Sequence, residues 1–325
     1  MSLPRLFQLI LASVIALCGA LNAHAQDAWP TKPIKVIVPF PAGGSSDPPV
    51  RVVAAKLQDI LGQPVVIENI GGGGGTIATG RLAALPADGY AFGMAAVGTL
   101  CIAPHLYSKV AYDPLKSFTP IGELADYANV LVVNANEPYK NIAELIKAAK
   151  DNPGKLTYGS AGNGSSNHLS GELLASLTGA KFTHVPYKGT GPAQTDLLGG
   201  RLTFMFDVTL NALPHVQSGK LRAIGVTSPG PVKNMPGVPP INQSVPGYEV
   251  LGWIGLIAPA GLPQKITDRM AVETEKIMAM PDIVAQYATF GFDPHFIKPD
   301  RFAALIKKDY DFWGPVVKAS GAKVD

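Results

Sequence analysis

Short apolar, β-branched runs separated by segments of helical period recur along most of this chain. That alternation restricts the folds open to it more than any other feature. Ile34 to Phe40, Val65 to Glu68 and Tyr90 to Met94 read as strands, with Pro48 to Leu61 and Thr76 to Ala84 as the helices between them. Strands joined through helices lie parallel, because a parallel neighbour is reached only by a crossover long enough to hold a helix. After a Pro-rich connection marked by Pro104, Pro114 and Pro120, the pattern restarts. Val130 to Asn134, Leu156 to Ser160, Phe182 to Val185, Leu202 to Phe206 and Ala223 to Thr227 read as strands. Ile142 to Asn152, Ser166 to Thr178, Thr190 to Leu198 and Leu210 to Ser218 read as helices. A Pro/Gly-dense stretch from Pro229 to Pro246 leads to an apolar strand, Tyr248 to Ala258, and two amphipathic helices, Gln264 to Met280 and Asp300 to Lys318. Two such windings, with a tail able to return to the first, predict an α/β chain of two lobes, each a mostly parallel sheet flanked by helices.

The 35 glycines and 29 prolines, about a fifth of the chain, exceed ordinary usage but fall short of the roughly 25 to 30% of low-complexity chains. With 47% hydrophobic residues the chain can bury a full core. Lys plus Arg exceeds Asp plus Glu by only 27 to 24, with no basic run, which gives no electrostatic footprint for nucleic acid or an anionic membrane. The first 25 residues depart from this pattern: Arg5, the apolar run Leu9 to Leu21, and Ala23-His24-Ala25 have the form of a cleavable secretory signal. The run is too short for the about 20 apolar residues of a membrane span, and Leu17 before Cys18 departs from a lipobox. Cleavage leaves a chain from Gln26 to Asp325 with Cys101 as its one cysteine. That excludes an internal disulfide and makes Cys101 a buried small hydrophobe before a nucleophile. Export also removes nucleotide cofactors from the expected ligands.

The most informative motif is an internal echo. Ala42-Gly43-Gly44-Ser45-Ser46-Asp47 follows the first strand of the first winding, and Ala161-Gly162-Asn163-Gly164-Ser165-Ser166-Asn167 follows a strand of the second; each precedes a helix. Glycines permit a sharp turn at positive φ, a Ser, Asp or Asn caps the helix, and the free N–H groups with the positive helix end accept an anion. One such loop reads as plain capping. Two of them at the carboxyl ends of strands, where open α/β sheets bind ligands, favour a carboxylate held between them. If Asp47 is the N-cap, Pro48 and Pro49 have no N–H to give, so Gly43, Gly44, Ser45 and Ser46 become the expected donors, with Asp47 capping its helix or accepting from a ligand ammonium or water. Asp207 is likewise a carboxylate at a strand's carboxyl end, or a cap for the helix near Leu210.

Other motifs are weaker. Gly71 to Gly75 with Thr76-Ile77-Ala78 fits G-x-G-x-x-A, but five consecutive glycines fit many templates and no acidic residue closes a following strand; close backbone packing beside the cleft is the better account. His105, His168, His184, His215 and His295 show neither H-E-x-x-H nor paired spacing, so no metal site and no cofactor is expected. G-x-S-x-G is absent.

The chain resembles the extracytoplasmic solute receptors of the tripartite tricarboxylate transporter family, the Bug or TctC-like proteins. The resemblance rests on Trp29-Pro30-x-Lys32-Pro33-Ile34, Pro39-Phe40-Pro41-Ala42-Gly43-Gly44-x-x-Asp47 with Arg51, Glu68-Asn69, and Pro86-Ala87-Asp88-Gly89-Tyr90. It continues in Tyr112-Asp113-Pro114 with Phe118-x-Pro120, Tyr158-Gly159-Ser160-Ala161-Gly162-x-Gly164-Ser165, His184-Val185-Pro186-Tyr187-Lys188-Gly189, and Gly199-Gly200-Arg201 leading to Phe206-Asp207. Pro48-Pro49 and Val50 depart from the usual pattern. The resemblance implies a two-lobed, cluster-F-like (type II) periplasmic binding protein, not an enzyme, that closes on a small carboxylate held by backbone groups and ordered waters. Carried onto this chain, its contacts fall on Ala42, Gly43, Gly44, Ser45, Ser46 and Asp47, on Gly98 and Thr99, and on Ser160, Gly162, Ser165, Ser166, Asn167, Thr190 and Asp207. The expected lobes are 26–124 with 248–325, and 125–247, hinged at Leu124 to Val130 and Val245 to Leu251. A monomer is expected, with an inner-membrane tripartite tricarboxylate permease as partner and a dicarboxylate, acidic amino acid or aromatic carboxylate as ligand. Two alternatives stay open: a module presenting the same ligands to a sensor protein, and an exported hydrolase using Ser165 or Ser166 with His168 or His184.

Overall fold

The first winding forms where the β-branched runs place it. β1 (Ile34–Val38) is almost wholly buried and lies between β2 (Val65–Asn69) and β3 (Ala91–Ala96), parallel to both. The crossovers are α1 (Asp47–Leu61) and α2 (Thr76–Ala83). α1 turns Val50, Val53, Ala54 and Leu57 inward and stops at Gly62, whose φ of 66° lets its N–H close on the Gln58 carbonyl at 2.9 Å. β3 runs into one π-helical turn, Gly98–Ile102, and the short α3 (Ala103–Leu106). The computed structural model describes residues 29–44, 46–321 and 323–324; the leader expected over residues 1–25 and the loop residue Ser45 lie outside them.

The Pro-rich connection conceals a strand. β4 (Phe118–Asn134) is continuous, whereas the sequence pattern marks only Val130 to Asn134. Pro120 cannot donate to a ladder, and it sits where the register against the neighbouring strand shifts between Pro120 and Gly122. Phe118 to Ala128 pair with β9 (Leu251–Pro259), and Asn129 to Val133 pair with β7 (Phe204–Val208). β4 is therefore shared by both halves of the sheet.

The second winding follows: α4 (Ile142–Asp151), β5 (Thr157–Ser160), α5 (Ser166–Thr178), β6 (Thr183–Pro186), α6 (Thr190–Leu198), then β7, α7 (Thr209–Gln217) and β8 (Leu221–Val226). β5 is parallel to β6 and β7. The spatial order β2-β1-β3-β9-β4-β7-β5-β6 carries β8 and β10 as further partners of β4. Every antiparallel pair involves β4 or β9, the strands that join the windings. Where β4 changes partners, Asn129 and Thr227 exchange main-chain and side-chain hydrogen bonds at 2.9 Å, and the Val250 N–H reaches the Thr227 carbonyl. The outgoing and returning segments thus cross side by side.

The tail returns to the first winding. The expected helix Gln264 to Met280 is α8 (Gln264–Met278), and Pro281 starts a separate α9 (Pro281–Thr289) that the sequence reading did not mark. β10 (Asp293–Ile297), also unmarked, pairs antiparallel with β4. α10 (Pro299–Ser320) packs on α3 and also on α5, so it braces both halves. Its contacts include the Cys101 thiol on the Ile306 carbonyl at 3.4 Å and the His105 ring on the Tyr310 carbonyl at 2.9 Å. Cys101 is fully buried, and burial, with the nearby Asp309 charge, pushes its thiol pKa well up, as an inert core residue requires. Among the described residues no helix is long and apolar enough to cross a membrane.

Candidate functional site

The expected site residues lie after β1, β3 and β6, at and after the end of β5, and at the end of β7, all at the carboxyl ends of strands of the parallel windings. After β1 the chain turns through Ala42, Gly43 and Gly44 into α1. The cap of α1 is Ser46, whose side chain makes no capping bond. The reason is local: a cap oxygen accepts from the second or third helical N–H, and here those positions are Pro48 and Pro49.

Asp47 is not a cap and does not point at open solvent. It is buried, and its Oδ2 accepts from the Gly43 N–H at 3.0 Å and Arg51 Nε at 2.9 Å, while Oδ1 accepts from Asn69 Nδ2 at 2.9 Å. Asn69 also donates to the Phe40 carbonyl at 3.0 Å and accepts from Arg51 Nη2 at 2.8 Å. Burial alone would raise the carboxyl pKa, but the bonds from Arg51, Gly43 and Asn69, with the Arg51 charge, hold it below the usual range. Asp47 thus ties the loop to α1 and to the end of β2. The Gly43 N–H, expected to face a ligand, is held by Asp47, and the Gly44 N–H faces the Pro41 carbonyl at 3.3 Å.

The second loop is built differently. Gly162 and Gly164 turn at φ 126° and 81°. Ser160 Oγ receives the Gly162 N–H at 3.1 Å and lies 2.6 Å from His184 Nε2 across β5 and β6. Ser165 caps α5, accepting from the His168 N–H at 3.3 Å and donating to the Gly162 carbonyl at 2.7 Å. The N–H groups of Ser166 and Asn167, at the first two helical positions, have no acceptor inside the helix. The Ser166 hydroxyl lies 3.3 Å from the Tyr127 hydroxyl of β4, and the Asn167 amide donates to the Phe206 carbonyl at 2.8 Å.

Three glycines bring the windings together. A Cβ on Gly98 would lie 3.1 Å from the Gly164 carbonyl, and one on Gly74 would lie 3.0 Å from both the Asn163 carbonyl and the Tyr107 hydroxyl. A Cβ on Gly164 would lie 3.0 Å from Leu106. The pentaglycine run therefore supplies the close backbone approach that its sequence suggests, against the second Gly-Ser loop. Thr99 beside it is fully buried, with its hydroxyl bonded to Ala96 and its carbonyl to the Tyr112 hydroxyl, so the backbone at Gly98 is the part of that turn nearest the second loop.

Asp207 is fully buried and neither caps α7 nor pairs with a cation among the described residues. Oδ1 accepts from the Val208 N–H at 2.8 Å and Asn211 Nδ2 at 3.3 Å, and Oδ2 from Gln194 Nε2 at 3.1 Å. Burial outweighs these bonds and pushes its pKa up to about 7. Asn211 also donates to Thr190 Oγ1 at 3.0 Å, linking the start of α6 to the end of β7. Tyr127, Gln194 and Asn211 bond to expected site residues although no motif singled them out, and Asn69 stands in the Glu68-Asn69 motif without having been expected to hold Asp47. Tyr127 in particular lies on the part of β4 hidden by Pro120.

The serine–histidine pairs a hydrolase would need are not formed as expected. His168 Nδ1 accepts the Gly164 N–H at 3.2 Å, its ring stacks on His184 at 4.0 Å, and Ser165 meets only its backbone N–H. Burial, then the His184 neighbour, lowers the His168 pKa to about 3, and burial lowers His184 to about 4. The pair that does form, Ser160 with His184, has a serine with no exposed surface.

The chain has known counterparts. The model of the tripartite tricarboxylate transporter family receptor matches residues 50–322. Protein BugT of Bordetella pertussis is 34% identical over 326 residues, covering 100% of both chains. The R. palustris protein Rpa4515, solved with adipate, superposes with a TM-score of 0.85 at 32% identity over 91% of this chain and 100% of that one. MatC from Rhodopseudomonas palustris, with bound malate, does so with a TM-score of 0.81 at 31% identity over 89% and 100%. With the α/β periplasmic binding protein fold and the motifs of both loops in place, the chain belongs to the tripartite tricarboxylate transporter receptor family, the Bug and TctC periplasmic solute-binding proteins.

Proposed function

We propose that this protein captures a small carboxylate in the periplasm, most favourably a dicarboxylate, and delivers it as a monomer to a membrane permease of the tripartite tricarboxylate type. The observation that carries this is the approach of the second Gly-Ser loop to the glycines of the first winding at the carboxyl ends of β1, β3 and β5. Adipate and malate in two relatives support the dicarboxylate class. Ligand charge is met by N–H groups, hydroxyls and the N-terminus of α5 more than by a guanidinium, since Arg51 is engaged by Asp47 and Asn69. The contacts come from Ala42 to Ser46, Gly98, Ser160, Gly162, Ser165, Ser166, Asn167 and Thr190, with Asp47, Thr99 and Asp207 holding their frames. Lobes 26–124 with 248–325, and 125–247, close by rotation about the paired crossing segments, and the signal over residues 1–25 directs export.

The test is a thermal-shift and calorimetric screen of the chain from Gln26 to Asp325, refolded from denaturant to strip carried ligand. Adipate, malate, glutamate, citrate and nicotinate form the panel. A ligand at 100 times its Kd adds about 2.7 kcal/mol, so a dicarboxylate is expected to raise the midpoint by several degrees. A folded sample that responds to none of the panel refutes carboxylate capture.

A further inference from the structure

Away from the Gly-Ser loops, β4 and β10 assemble a cluster that no sequence spacing reveals. Glu123 and Asp126 lie on β4 and His295 on β10, in the irregular stretch between the pairs Pro294 with Ala125 and Ile297 with Glu123. One donor atom from each of the three lies within 4.8 Å of the others. Glu123 is 2% exposed, and among the described residues neither its Oε2 nor the shielded Oδ1 of Asp126 has a hydrogen-bond partner.

The histidine tautomer sharpens the problem. His295 Nδ1 lies 3.1 Å from the Asp293 carbonyl, which can only accept, so Nδ1 carries hydrogen and Nε2 is left with a lone pair. Nε2 stands 3.2 Å from Glu123 Oε1. Two acceptors at that distance require a proton or a cation between them. A second proton on His295 satisfies this one contact alone, whereas a divalent cation held by one donor atom of each residue balances the charge of both carboxylates and draws Asp126 into the cluster. Asp309, whose carboxylate is held by Trp253 Nε1 at 2.7 Å, adds negative charge nearby.

We propose that Glu123, Asp126 and His295 form a binding site for one divalent transition-metal ion of the zinc class, which clips β10 to the crossing strand β4. One imidazole and two carboxylates suit zinc, cobalt or manganese, while magnesium and calcium favour all-oxygen shells. Ligands about 2.0 to 2.1 Å from a tetrahedral ion stand roughly 3.3 Å apart, close to the separation of Nε2 and Oε1. The Asp293 carbonyl on Nδ1 is the outer partner that orients metal-bound imidazoles. The His295 side chain is 32% exposed, so an ion can reach the cluster from solvent. The site shares no residue with the proposed carboxylate contacts. It would stiffen β4 just before that strand passes to the second winding.

The test uses the chain from Gln26 to Asp325, treated with EDTA, dialysed and kept free of carboxylates. Zinc chloride alone is titrated by calorimetry, and cobalt chloride is followed by its visible absorption bands. The expected result is one equivalent of zinc, a raised thermal midpoint, and cobalt bands of four-coordinate intensity. His295→Ala and Asp126→Asn, checked for folding by circular dichroism, are each expected to weaken zinc binding at least about a hundredfold, more than the loss typical of outer-shell changes. Absence of zinc binding and of cobalt bands in the wild type overturns the proposal in favour of a proton between Glu123 and His295, whether or not the variants fold. Zinc binding unchanged in a folded His295→Ala variant overturns it as well, by placing the metal elsewhere.

Discussion

Asp47 offers the sharpest separation between a ligand contact and a loop organiser. Asp47→Ala removes the acceptor for three donors: the Gly43 N–H, Arg51 Nε and Asn69 Nδ2. Hydrogen bonds to a charged group contribute about 1.5 to 3 kcal/mol each when shielded. Arg51 is 47% exposed and recovers water, and Asn69 keeps its bond to Phe40, so about 1 kcal/mol each is the better figure, or about 2 to 3 kcal/mol in all. At about 2 to 4 °C per kcal/mol for a chain of this size, the unliganded melting midpoint is expected to fall by roughly 5 to 10 °C. Arg51→Ala, removing a half-exposed partner, is expected to cost less than about 1 kcal/mol. The pH dependence follows from the lowered pKa of Asp47. Its stabilisation is fully present above the usual Asp value of about 4 and is lost as pH falls through the lower folded value, so the gap between wild type and variant closes in acid. Urea midpoints between pH 7 and pH 2.5, with ligand calorimetry at pH 7, check both. An Asp47→Ala protein within about 0.5 kcal/mol of wild type in stability, yet strongly weakened in affinity, would refute the organiser role and make Asp47 a ligand contact.

Gly98→Ala places a methyl group 3.1 Å from the Gly164 carbonyl across the two windings, and at about 1 to 3 kcal/mol of overpacking it should lower the unliganded midpoint by several degrees and weaken ligand binding, which melting and calorimetry check. Ser165→Ala removes the cap of α5 and the bond to Gly162, with an expected loss of about 1 kcal/mol in urea unfolding and a weakened ligand. Asp207, with its pKa near 7, binds its proton more tightly folded than unfolded, so its contribution to stability falls as pH rises from about 4 to about 7; Asp207→Asn should flatten that slope in urea midpoints. His184 works in the opposite sense: its pKa near 4 means stability lost as pH falls from about 6.5 toward 4, and His184→Gln should reduce that loss in the same titration.

The two windings, their helices and both Gly-Ser loops were legible from the chain because each depends on neighbours in sequence: β-branched runs, helical period, and glycine beside a capping residue. Besides α9, set apart by Pro281, the hidden elements are two strands that depend on distant partners. β4 was masked by Pro120, which is tolerated at a bulge opposite β9, and β10 is a short strand that exists only because β4 is there to pair with it. The same limit applies to the site. The serine cap of α5 was readable locally, but the role of Asp47 was not, since Asn69 on another strand claims one of its oxygens. Nor could sequence reveal that Gly98 meets Gly164, or that His295 meets Glu123. Local sterics and periodicity determined the elements and their order. The contacts that assign each polar atom a partner were decided by tertiary structure, because hydrogen bonds and close packing act over about 3 to 4 Å regardless of separation along the chain.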